Sequence, residues 1–534
     1  MTSLAKTSRF LRVPSALCLP SRRNFHNYFV SHLPSASLFP DSRSTAGPSA
    51  PNRDLTVVRI PLRSAKHHFG VAVSRGQRIQ NEDTNQAGTI TMPAFAKRPP
   101  ISLVRGQDAA AAAKAAGIGT TAASALGDPQ VFYFAVFDGH GGTECSDFLR
   151  DELHGYIEQA AADLQLQSSL QKKDDPKKLP SSLQDPSTLS SPTILPQHDH
   201  EVPPSESSTP RPLRLQSDLL QEYRRTIGGY WRRFRPSCFT IPPIPSSRDP
   251  NPPPPLTSQG PITLETVLTY AFLRADLDFV TAQARKPDPD DPYVADFPLN
   301  KDEILGSPQL PPSGHGIGGP HRFKGGSTAS VALISTPSST PFWHPSAHAT
   351  IAVAHVGDTR VLLCETKTGL AVPLTADHRP SSPTESRRLR RYLSDSLVTD
   401  SFGEERLHGL ANSRSFGDMG SKRIGVSAEP DIVRVDLHPA QYSFMVLCSD
   451  GVSGTLSDQE IVDIVKEAGT PEEGARSVVE YATEVSSDGD NATCLVVRLG
   501  GWERRCEGGL GSMGTKEVRE MRRAEAEDPR RRGR

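Results

Sequence analysis

The 534-residue chain has no run of about 18 apolar residues, so no transmembrane helix is expected. Only 36% of it is hydrophobic, although its length alone would suggest two to four domains. Much of the proline, 48 residues in all, sits in a few blocks, so the folding portion is shorter than the whole. A net charge of −1 leaves no electrostatic footprint for nucleic acid, and none is expected as a partner. The seven cysteines are scattered, odd in number and without a CxxC pair. They read as buried or incidental thiols in a reducing compartment, without a disulfide framework or zinc site. No internal repeat, P-loop or dinucleotide-type glycine pattern occurs.

The first forty residues lack acids: the first is Asp41. They hold Lys6, Arg9, Arg12, Arg22 and Arg23 among serines, interleaved with Leu4, Phe10, Leu11, Val13 and Leu17. A secretory signal would need a continuous apolar stretch, which is missing. Residues 1–40 are therefore expected to be a mitochondrial targeting segment, for the matrix or intermembrane space. The alternative is a basic tail on a cytoplasmic protein.

A core is expected over residues 54–502, followed by a charged tail at 503–534. Low-complexity insertions are expected near 93–128, 166–262 and 286–322, rich in Pro, Ser, Ala or Gly. Within the second, the aromatic and basic stretch YWRRFR (230–235) reads as a local packing element; contact with a partner or membrane is the alternative. Runs such as HFGVAVSRG, VFYFAVF, GGSTASVALIS, YSFMVLC and NATCLVVRLG read as strands. Residues 143–164, 262–284, 457–468 and 471–485 have helical spacing, the second strongly amphipathic. Strands interrupted by long helices, without βαβ alternation, point to an α+β sandwich.

Four acidic stretches stand far apart: RGQRIQNED (75–83), VFDGHGG (136–142), LCSDG (447–451) and DGDNAT (488–493). Three place an acid at or just beyond a β-forming run, where a fold can gather carboxylates. Gathered carboxylates repel and resist desolvation unless a cation neutralises them, and Mg²⁺ or Mn²⁺ suits oxygen ligands. Asp138 and Asp450 each follow an apolar run and precede glycine. Gly139 lets the backbone approach closely, so its carbonyl is a candidate ligand. Glu82, Asp83 and Asp490 are the further acidic candidates. Two ions held so would activate a water and hold a phosphoryl oxygen.

These stretches, with GGSTA, AHVGDTR, LTADHRP, LANSRSFGD and SAEPDI, resemble in order the metal-dependent PP2C-type Ser/Thr phosphatases, fungal mitochondrial members among them. The resemblance spans about residues 66–500. It implies a central antiparallel β-sandwich flanked by helices on both outer faces, acting as a monomer on phosphoprotein substrates. It implies Asp138 bridging two ions, Gly139 offering its carbonyl to one, and Asp450 and Asp490 completing the other shell. Glu82 and Asp83 would hold waters, Arg78 the substrate phosphate, and His140 would protonate the leaving alkoxide. Asp358 matches a position linked to a third, weaker ion; a plain turn residue is the alternative. Asp377, His378, Arg414 and Asp418 fall in family motifs and are expected to be structural. The stretch 379–410 departs from the family pattern, which affects the substrate-facing surface. Alternatives of other classes are a catalytically silent scaffold and a hydrolase of small phosphate esters.

Overall fold

Side chains alternate across an extended strand, so a strand apolar at every position serves two cores at once. The run Val131–Phe137 does this: Phe132, Phe134 and Val136 enter one apolar cluster, and Val131, Tyr133, Ala135 and Phe137 another. A computed structural model of the chain describes residues 28–34, 55–61, 68–98, 128–170, 210–240, 262–286, 317–338, 340–390, 397–399, 405–506 and 512–527. Most of the 1–40 segment and long parts of the three expected insertions lie outside these residues.

The strands in chain order are β1 (Tyr28–Pro34), β2 (Leu55–Pro61), β3 (Phe69–Ser74), β4 (Thr84–Ile90), β5 (Val131–His140), β6 (Gly326–Ser335), β7 (Ala349–Val356), β8 (Arg360–Glu365), β9 (Ala371–Pro373), β10 (Leu397–Thr399), β11 (Glu405–Leu407), β12 (Phe416–Gly417), β13 (Asp431–Leu437), β14 (Tyr442–Cys448) and β15 (Ala492–Arg498). The helices are α1 (Glu144–Asp163), α2 (Arg211–Thr226), α3 (Leu264–Ala284), α4 (Pro383–Leu389), α5 (Asp450–Ser453), α6 (Asp458–Glu467), α7 (Pro471–Val485) and α8 (Ser512–Glu527).

Two antiparallel sheets form the centre. One runs β13-β7-β6-β5-β4, with β12 added on β6; the other runs β3-β15-β14-β8-β9. The cluster between them takes Phe134 from β5, Val353 from β7, Leu363 from β8, Leu447 from β14 and Leu495 from β15. On the outer face of the first sheet, Tyr133 and Phe137 pack with Leu149 and Leu153 of α1 and Leu268 and Phe272 of α3. On the outer face of the second, Phe444 and Val446 pack with Ile461 and Val465 of α6 and Val478 and Ala482 of α7. The expected α+β sandwich with helices on both outer faces is the fold observed.

Strands that lack a continuous apolar run escaped sequence reading, β4 and β13 among them. TNQAGTI becomes β4 through its pairing with β5, and DIVRVDL becomes β13 on the edge beside β7. Helix α3 differs from its amphipathic reading, because it is buried on nearly every face, Arg274, Asp276 and Asp278 included. The reason lies inside the 166–262 stretch. Residues 210–240 fold as α2 and a short 3-10 turn, Gly229–Arg232, and pack Leu219, Tyr223 and Trp231 on Leu273, Leu277 and Val280 of α3. The YWRRFR stretch is thus partly core: Trp231 is 1% exposed.

Candidate metal centre

Strands β5 and β14 lie in different sheets and end at the same rim. There the backbone N–H of Asp450 donates to Asp138 Oδ2 at 3.3 Å, joining the sheets across 312 residues. Asp358, in the turn between β7 and β8, completes the group. One oxygen from each of Asp138, Asp358 and Asp450 lies within 4.8 Å of the others. All three line an open cavity of about 680 Å³, as do Glu82, Arg78, His140 and Asp490.

Burial drives the electrostatics here. It pushes the Asp138 carboxyl well above the ordinary carboxylate range, and the charges of Asp450, Asp83 and Asp358 push it further. Asp358 is raised to about 7 and Asp450 to about 6, each by burial first and then by neighbouring acids. Three oxygen donors that destabilise one another's charge fit a hard divalent cation, which would remove the conflict. Asp83 sits below, 5% exposed and raised to about 6 by burial. Neither of its oxygens meets a donor in good hydrogen-bond geometry, although Ser449 and Thr493 lie near enough to hold the pKa down.

The segment 75–83 is fastened to the same rim. The Glu82 N–H donates to Asn491 Oδ1 at 2.8 Å, and Asn491 Nδ2 donates to the carbonyls of Arg75 (2.9 Å) and Gln80 (3.1 Å). Ser146 Oγ, in the first turn of α1, donates to the Glu82 carbonyl at 2.6 Å. A Cβ on Gly139 would collide with that carbonyl, so the close approach of β5 requires glycine. Asn491 was missed in the sequence; its signal was a side chain with both donor and acceptor directly beside Asp490.

Arg78 and Asp490 face one another: the guanidinium Nη2 lies 2.8 Å from Asp490 Oδ2. Within the described residues the tight acidic group is therefore Asp138, Asp358 and Asp450, with Asp490 on the same wall in an ion pair. His140 is 40% exposed in its side chain, and its Nε2 lies 2.8 Å from Asp418 Oδ1. Burial works against the imidazolium, but Asp418, then Asp358 and Glu82, more than offset it and raise the pKa above its ordinary value. Asp418 thus touches His140 directly, a role its place in RSFGD did not disclose. His378 and Arg414 are buried and both donate to the exposed carboxylate of Asp431, at 3.0 and 2.8 Å. Arg406, Leu410 and Asn412, from the stretch that departs from the family pattern or just after it, line the cavity.

Residues 319–490 match the family model described as Protein phosphatase 2C. Protein phosphatase 2C homolog 4 of Schizosaccharomyces pombe is 32% identical over 375 residues, 70% of this chain and 72% of that protein. The chain belongs to the protein phosphatase 2C family. It is accordingly a protein serine/threonine phosphatase of a metal-dependent family. Protein phosphatase 1K, mitochondrial, of Xenopus laevis is 37% identical over 179 residues, 33% of this chain and 44% of that relative. The serine-threonine phosphatase 2C structure from Toxoplasma gondii aligns at a TM-score of 0.42 and 17% identity, over 81% of this chain and 94% of that one. The phosphatase 2C match at 319–490 takes in Asp358, Asp450 and Asp490, while Arg78, Glu82, Asp83, Asp138 and His140 come from the sequence before it.

Proposed function

We propose that the chain dephosphorylates phosphoserine and phosphothreonine in phosphoproteins at a centre for two divalent ions, Mg²⁺ or Mn²⁺. The observation carrying this reading is the convergence of Asp138, Asp358 and Asp450 on a cavity that also holds Arg78 and His140. Asp138, Asp450 and the Gly139 carbonyl would hold the ions, with Asp490 available from the same wall. Glu82 and Asp83 would orient water, and Asp358 would hold a third, weaker ion. Bound ions of this kind supply a water nucleophile at neutral pH and neutralise phosphoryl charge.

The remaining work falls to the side chains. The Arg78 fork would bind two phosphoryl oxygens and align the ester. His140, fixed at Nε2 by Asp418, would give a proton from Nδ1 to the departing Ser or Thr oxygen. No thiol is needed: burial pushes the Cys145, Cys448 and Cys494 thiols up, away from the thiolate. The basic, acid-free first forty residues, and the mitochondrial label on the Xenopus relative, support a mitochondrial location.

Turnover of a phosphothreonine peptide and of a small phosphate ester, each with Mn²⁺ or EDTA, tests the reading. The expected result is peptide turnover that requires Mn²⁺. Equal peptide turnover in EDTA would overturn it.

A further inference from the structure

Asp418 is held from the side opposite His140 by a chain of buried groups that ends in the 210–240 segment. Its backbone is left-handed, with φ +42°, an uncommon state for a residue with a side chain. Ser415 Oγ donates to its Oδ2, and its N–H donates to the Gly325 carbonyl at 2.9 Å. Lys422 Nζ in turn donates to the Ser415 carbonyl and pairs with Asp276 Oδ1, both at 2.8 Å. Lys422 and Asp276 are both fully buried. The same Asp276 oxygen accepts the Gly417 N–H at 3.0 Å, immediately before Asp418.

Residues 210–240 close this chain at two points. Tyr223 of α2 donates its hydroxyl to the Leu273 carbonyl at 2.7 Å and lies 3.2 Å from Asp276 Oδ2. Trp231 donates its indole N–H to the Lys422 carbonyl at 2.8 Å. The two rings stack, centroids 4.0 Å apart. A buried Lys–Asp pair is weak as a source of stability, because desolvation offsets most of its attraction. Its geometric effect is firmer, since each partner is also tied to the backbone just before Asp418, Lys422 at Ser415 and Asp276 at Gly417. Buried Tyr and Trp side chains need polar partners in any core; here those partners include Asp276 and the Lys422 backbone, the two members of the pair behind Asp418.

We propose that the 210–240 segment is a positioning device for the reaction: Tyr223 and Trp231 lock the Asp276–Lys422 pair, and the pair holds Asp418 against His140. The proposal rests on the reading of His140 as proton donor to the leaving group. That reading supplies the discriminating measurement. A serine or threonine alkoxide leaves poorly without a proton, whereas p-nitrophenolate leaves without one. Loosening His140 therefore slows the peptide selectively, while general damage to the centre slows both substrates alike.

The full-length chain carrying Tyr223→Phe and Trp231→Phe together is assayed with Mn²⁺ on a phosphothreonine peptide and on p-nitrophenyl phosphate, beside His140→Asn. The double variant is expected to lower kcat on the peptide about tenfold, a part of the roughly 10²–10⁴-fold that a positioned acid contributes. KM on the peptide and both constants on p-nitrophenyl phosphate should stay within about twofold, since the phosphate contacts are untouched. Should the double variant not fold, the neutral pair Asp276→Asn with Lys422→Met replaces it and carries the same expectation. Equal losses on both substrates, or no loss on the peptide, would overturn the proposal. If His140→Asn is peptide-selective and the segment variants are not, only the positioning role fails. If His140→Asn itself slows both substrates alike, the proton-donor reading fails and the positioning role with it.

Discussion

Arg78 and Asp490, 412 residues apart in the chain, share a hydrogen bond of 2.8 Å on the wall of the acidic cavity. The Arg78 side chain is more than half exposed, and its other guanidinium N–H groups can meet an incoming phosphate. Arg78→Ala should raise KM for a phosphopeptide about tenfold or more, the worth of a hydrogen bond to a charged group. Arg78→Lys should recover part of that loss, because an ammonium keeps the charge but not the fork. Steady-state kinetics at saturating Mn²⁺ reads both; an unchanged KM in Arg78→Ala would remove Arg78 from the phosphate site.

Asp138→Asn should separate activity from stability. Asp138 is packed against Asp450, Asp83 and Asp358, and burial disfavours its charge. In EDTA at neutral pH the amide should raise the melting temperature by about 1–2 °C, the shift expected for relief of about 1 kcal/mol in a chain of this size. With Mn²⁺, activity should fall by about 10³-fold or more, some 4 kcal/mol of transition-state stabilisation. Calorimetric titration with Mn²⁺ should show weakened binding in the same variant. A variant that binds Mn²⁺ as the parent does would refute the ligand assignment.

How legible this was depends on where the information sits. VFYFAVF announced a buried strand, and the acid at its end lies in the acidic cavity. TNQAGTI announced nothing, because β4 is defined by its partner β5 and not by its own composition. The acids of the centre were all visible, but their grouping was not. Asp358 meets Asp138 and Asp450, whereas Asp490 meets Arg78, and both outcomes depend on loop paths that no local pattern encodes. Likewise the spacing of α3 suggested a solvated face. That face is covered by α2, whose docking is a contact between segments some fifty residues apart.

Acid should destabilise the fold through Glu385. Its carboxylate, 1% exposed, pairs with Arg388 and Arg414 at 2.6 Å each and accepts from Ser413 Oγ at 2.6 Å. Burial alone would raise its pKa, but the two arginines hold it down to about 2 against an ordinary 4.5. A depressed carboxyl stabilises the fold above the unfolded value and loses that contribution as pH falls toward the folded one. The contribution is about 3 kcal/mol at pH 7, falling below half by about pH 3. Urea unfolding of the parent and of Glu385→Gln across that range should give curves that converge on acidification. A gap independent of pH would show that the carboxylate is not the cause.

Removing residues 1–40 from a tagged full chain should shift it from mitochondria to the cytosol. The basis is composition: five Lys or Arg and no Asp or Glu in that stretch. Fractionation with an import assay decides, and unchanged import would count against a targeting role.

Gly139→Ala should damage the centre without touching a charge. The glycine is not needed for backbone freedom, since its φ is not positive. It is needed for space: an added methyl would meet the Glu82 carbonyl and, at 2.9 Å, Ser146 Oγ. The segment 75–83 would have to retreat from β5, carrying Arg78 and Glu82 away from the cavity. Overpacking of this kind costs about 1–3 kcal/mol, and the loss of activity should exceed what that destabilisation explains. Gly420→Ala is the control, because nothing lies within 4 Å of its added methyl. Its melting temperature and turnover should match the parent. If Gly139→Ala also behaves as the parent, the close contact between β5 and the Glu82 backbone does not hold the two halves of the centre together.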